Sequence, residues 1–73
     1  MEPDNKTKRA IIESLIAQIE QQRYTHEVMG QTWQTIGDSE AAKKCATAMA
    51  ENVKAIAELN KKLEALPECP INQ

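Results

Sequence analysis

The chain has 73 residues, 41% of them hydrophobic, and of its 30 apolar side chains ten are Ala and only Tyr24 and Trp33 are aromatic. A chain this short buries only about 60% of the surface its unfolded form exposes, so one small domain with a thin core is expected. Nine Lys and Arg against eleven Asp and Glu, spread evenly over both halves, exclude a polybasic nucleic-acid footprint; apolar runs of three residues at most exclude a membrane span or signal-peptide core, leaving the cytoplasm as the expected location.

The first helix is expected over about 4–36. Asp4, following Pro3, is its candidate N-cap, with Thr7 as the competitor. The break falls in Ile36-Gly37-Asp38-Ser39-Glu40, where Gly37 suits the left-handed residue that closes a helix, Asp38 or Ser39 caps the next, and Glu40 favours its first turn. A turn at 37–39 then leads into a second helix over about 39–66. Pro67 forbids its continuation, Lys61 and Lys62 complement the carboxyl end of its dipole, and 67–73 is a tail. The chain is therefore expected to be all-α, a single helical-hairpin domain over 1–73.

Steps of three and four trace an expected stripe on helix 1 through Ile12, Leu15, Ile19, Gln22, His26, Met29, Trp33 and Ile36. Helix 2 repeats the pattern with Ala42, Cys45, Met49, Asn52, Ile56, Leu59, Leu63 and Leu66. Four heptads on each helix favour coiled-coil packing. With the corner near Gly37 and Asp38, residue i should lie opposite residue 75 minus i, so that Trp33 faces Ala42, Ile19 faces Ile56 and Ile12 faces Leu63. Gln22, His26 and Asn52 then form a buried polar layer, of the kind that fixes register at some cost in stability.

The charges separate the two helices. On helix 2, Lys44, Glu51, Lys54, Glu58 and Lys61 occupy the side away from the stripe, in spaced pairs such as Lys54 with Glu58. Between Ala10 and Gly37, helix 1 carries only Glu13, Glu20, Arg23 and Glu27, all on one flank. An arc of roughly 260° is left without charge. Ala17, Gln21, Tyr24, Val28, Gln31 and Thr35 on that arc are the candidate interface, with the amphipathic Tyr24 ring as its anchor. Two uses are open: packing on a second copy, a dimeric four-helix bundle being the favoured arrangement, or docking of a different macromolecule or a small ligand. Ala41, Ala48 and Ala55 on helix 2 would let another helix approach closely.

Several chemistries are set aside. His26 lacks the second histidine of a zinc-protease helix and is a core or edge residue before it is a catalytic base. Cys45 falls near Met29 in this register and reads as a small buried hydrophobe, while Cys69 lies about 30 Å or more from it along the helix. No Gly-rich phosphate loop or nucleophile with a neighbouring histidine is present, so the protein is expected not to be an enzyme and to hold no metal or cofactor. Lys6, Lys8 and Arg9, joined by Lys61 and Lys62 in the antiparallel fold, form one mildly basic end with candidate phosphate contacts. With that end, the architecture is similar in shape to the small RNA-binding helical hairpins of plasmid copy control, which dimerise as four-helix bundles.

The function expected from these residues is binding: a self-associating inhibitor, adaptor or assembly factor of another protein, of a kind common in phages and other mobile elements. The alternative is a bundle that sequesters a small ligand or binds nucleic acid.

Overall fold

In the computed structural model, which describes residues 2–67, two helices run side by side in opposite directions: α1 over Asn5–Ile36 and α2 over Ser39–Ala65. Local chemistry accounts for their ends. The Asp4 carboxylate accepts the Thr7 N–H at 2.8 Å and so satisfies one orphan donor at the start of α1. Those hydrogen bonds, from the Thr7 backbone first and then its side chain, hold the Asp4 carboxyl below its ordinary value of 3.8. A carboxyl lowered on folding stabilises the folded chain above its unfolded value, and that contribution is lost as pH falls through the folded value.

At the corner, Gly37 adopts φ +98°, donating its N–H to the carbonyls of Trp33 and Gln34, and the Asp38 N–H bonds the Trp33 carbonyl at 2.8 Å. This is a Schellman closure, and its left-handed residue favours glycine for backbone reasons alone, since a Cβ at Gly37 would meet nothing within 4 Å. The Asp38 carboxylate then caps α2 by accepting the Ala41 N–H at 3.0 Å. The tail expected over 67–73, with Cys69, lies outside the described residues beyond Pro67.

The α2 seam follows its expected stripe: Ala42 is buried and Cys45, Met49, Asn52, Ile56, Leu59, Leu63 and Leu66 are half-buried. The α1 stripe is rotated from its expected phase. Its shielded positions at steps of three and four are Arg9, Ile12, Ile16, Ile19, Arg23, His26, Gly30 and Trp33, with Asn5, Lys8 and Glu27 also half-buried, whereas Leu15, Gln22, Met29 and Ile36 are exposed. Ile12, Ile19, His26 and Trp33 belong to both stripes, but their companions are Ile16, Arg23 and Gly30. The reason is backbone proximity. A Cβ built on Gly30 would stand 3.3 Å from the Cβ of Cys45, so the two helices approach closely at a position where α1 carries no side chain. This contact keeps the expected register, 30 and 45 summing to 75, and moves the neighbour of Cys45 from Met29 to Gly30.

The polar layer changes with the phase. Gln22 leaves it, and Arg23 takes the position opposite Asn52. Arginine is tolerated at a half-buried seam position because its long apolar stem can be covered while the charged head stays in water. Among the described residues, the Asn52 Oδ1 is buried without a hydrogen-bond partner. Replacing Asn52 with leucine removes that desolvated acceptor and is expected to stabilise the hairpin by about 1–2 kcal/mol in denaturant unfolding; a loss of stability would show that the amide is bonded in solution.

Candidate interaction surface

Among the described residues only Ala42 is buried, at 9% exposure, and the molecule measures 58 × 24 × 14 Å. Its thinnest dimension is the depth of one layer of helices, whereas stable domains bury apolar faces between two layers or more. Side chains that would form a second core face are therefore at the surface. Ile11 is 49% exposed, Leu15 40%, Tyr24 63% and Ile36 66%, and Val28 and Met29 are exposed beside them.

The α1 surface divides into two stripes. One, directly away from α2, carries Ala17, Gln21, Tyr24, Val28, Gln31 and Thr35, all exposed. Tyr24 borders a shallow, open depression of about 620 Å³ lined by Ala17, Glu20, Gln21 and Thr25. The other adjoins the seam and runs through Ile11, Leu15, Gln18, Gln22, Thr25, Met29, Thr32 and Ile36. By heptad position it shares a side of the hairpin with Ala41, Ala48 and Ala55 of α2, which are half-buried. Glu27 and Gln34 lie on the opposite side, where they line a groove with Ala42, Ala46 and Met49.

The threonine hydroxyls on these stripes are bonded internally. Thr25, Thr32 and Thr35 each donate through Oγ1 to the carbonyl four residues earlier, those of Gln21, Val28 and Gln31, at 2.9–3.0 Å. A helix that covers them leaves no threonine donor without a partner. Covering the threonines therefore costs little in lost hydrogen bonding with water, whereas the glutamine amides and the Tyr24 hydroxyl must find partners in whatever covers them. Sequence periodicity located the uncharged arc; it missed the internal bonding of the hydroxyls, which depends on side-chain rotamers.

The basic end is drawn into the hairpin. Arg9 Nη1 donates to the Leu63 carbonyl at 3.2 Å, tying the start of α1 to the last turn of α2 at a carbonyl that also accepts the Leu66 N–H at 3.3 Å. Lys8 pairs with Glu2 at 3.4 Å, and Lys61 pairs with Glu58 at 3.1 Å, in place of the expected Lys54 with Glu58 pairing. Both ion pairs are at the surface and worth little individually. Lys6 and Lys62 are exposed at the same end.

His26 is half-buried on the seam, and Cys45 is half-buried with a free thiol. Among the described residues, no group of three or more His, Cys, Asp or Glu side chains comes together to hold a metal ion, and no helix is long and apolar enough to cross a membrane. No family model, curated protein or solved structure matches this chain.

Proposed function

We propose that the protein is a non-enzymatic helical interaction module that self-associates and acts by binding another macromolecule, as a small inhibitor, adaptor or assembly factor. The observation that carries this reading is the uncharged face of α1, where six large apolar side chains between Ile11 and Ile36 stand exposed. Such an area on a one-layer hairpin is the signature of an interface. The internal threonine bonds lower the cost of covering the same face. A phosphate-binding role for the basic end is less well supported, because Lys8, Arg9 and Lys61 already have partners within the chain.

Tyr24→Glu combined with Val28→Glu places two charges on this face without touching the seam. The expected result is loss of self-association or of partner capture with helix content unchanged in circular dichroism. If both association reactions survive the double substitution, this part of the face is merely exposed. Partner binding that weakens steeply with added salt would move the function to Lys6, Lys8, Arg9, Lys61 and Lys62, since neutral helical interfaces respond little to salt.

A further inference from the structure

We infer that the stripe running through Ile11, Leu15, Gln18, Gln22, Met29 and Ile36 is the seat of a second copy of this chain, packed with α1 antiparallel to α1 about a twofold axis between Gln22 and Thr25. The inference rests on the self-association proposed above and names its surface and register.

Area points to a partner of this size. The chain exposes 5746 Å², where a folded monomer of its 8.2 kDa is expected to expose about 4,500 Å². The excess is larger than the roughly 800 Å² that each partner buries in a standard interface. The bare stripe is also the one nearest α2. A helix laid on it meets both α1 and the small side chains Ala41, Ala48 and Ala55, gaining two neighbours where a helix on the Tyr24 stripe gains one.

Self-complementarity points to a second copy. An isologous contact places residue i of one chain against residue j of the other and j against i. With an axis between Gln22 and Thr25, i and j sum to 47. Ile11 then meets the copy's Ile36, Leu15 meets Thr32, Gln18 meets Met29 and Gln22 meets Thr25. The apolar ends meet each other, Ile11 on Ile36, and the polar middle meets itself, Gln22 on Thr25; between them Leu15 packs on the methyl of Thr32 and Met29 on the aliphatic stem of Gln18. Near the axis the two Gln22 side chains are offset by about 4.5 Å along the helices, within reach of each other's amides. Gln22, which leaves the polar layer of the hairpin, thereby becomes the polar layer of the dimer, fixing its register.

The charges permit this arrangement. No charged residue lies on the stripe between Ile11 and Ile36, and Glu13, Glu20 and Glu27 occupy the flank across the seam, so the twofold brings no like charges together. Thr25 and Thr32 enter the contact with their hydroxyls already bonded to Gln21 and Val28. The antiparallel α1 pair also sets opposed helix dipoles side by side. The Tyr24 stripe stays open for a different partner.

Two single-cysteine variants test the register, Gln18→Cys and Met29→Cys, each in full-length chain carrying Cys45→Ala and Cys69→Ala. Each is first checked for native helix content by circular dichroism and for dimer mass by sedimentation equilibrium. An equal mixture treated with a short bis-maleimide is expected to give the mixed crosslinked dimer at least tenfold over either like-with-like dimer. In the proposed register the two copies of the same position are about 16 Å apart along the helices, while positions 18 and 29 are opposite. A dimer that crosslinks like with like, or not at all, overturns the stripe and register but leaves self-association standing. A folded monomer in the parent chain overturns both.

Discussion

Gly30→Leu is expected to destabilise the protein by about 2–3 kcal/mol in urea unfolding, compared at equal chain concentration, although leucine is the better helix former. The two effects oppose each other. Relieving glycine's backbone entropy within a 32-residue helix is worth about 1 kcal/mol. Against it stands the contact with α2, since even a methyl group at position 30 would lie 3.3 Å from the Cβ of Cys45. A leucine there forces the helices apart along the seam, and overpacking of this kind outweighs the propensity gain. Cys45→Ala does not relieve the clash, because alanine keeps the Cβ; Cys45→Gly does, and recovery in the double variant would locate the effect. Equal or greater stability of Gly30→Leu alone would place Gly30 away from the seam.

Trp33→Ala is expected to cost about 2–4 kcal/mol, at or just below the range for truncating a buried tryptophan because the indole here is only half-buried. Trp33 sits opposite Ala42, the one buried residue among those described, at the end of the seam nearest the corner. Removing the indole takes away the largest side chain on the α1 side of the seam, at its corner end. The backbone of the same residue accepts the hydrogen bonds that close α1, from Gly37 and Asp38, and these survive the substitution. The helix ends should therefore persist while the pairing weakens, seen as lower unfolding cooperativity with helicity largely retained. A loss well under 1 kcal/mol would mean that the indole packs on nothing.

How far the fold was legible follows from where its information lies. Helix ends are encoded by neighbours in the chain, so Asp4, Gly37 and Asp38 announced them without any knowledge of packing. The phase of α2 was equally open, because its large apolar residues occur on one side and its charges on the other. On α1 two apolar stripes share Ile12, Ile19, His26 and Trp33, and side-chain size favours the one with Leu15, Met29 and Ile36. The helices instead meet on the stripe that contains Gly30. One signal in the sequence pointed there: a glycine inside a long helix is costly unless another backbone comes close, and Gly30 is the only one within α1.

The candidate surface was legible in part for a related reason. Charge placement alone shows that α1 has a face with no ordinary solvent chemistry, and the exposed Ala17, Gln21, Tyr24, Val28, Gln31 and Thr35 are where periodicity put them. The division of that face into two stripes depends on the helix phase and so became visible only with Leu15, Met29 and Ile36 outside the seam. The hydrogen bond from Arg9 to the Leu63 carbonyl, which draws the basic end into the fold, joins residues 54 positions apart, and no local pattern encodes it.

The central claim is that α1 is an inner helix whose second face is covered by another copy of the chain. Sedimentation equilibrium of the full-length protein at micromolar concentration tests it most directly. The account predicts a mass of at least twice the 8.2 kDa chain, with self-association lost when charges are placed on the Leu15 and Met29 stripe. A well-folded, fully helical monomer at that concentration would contradict it.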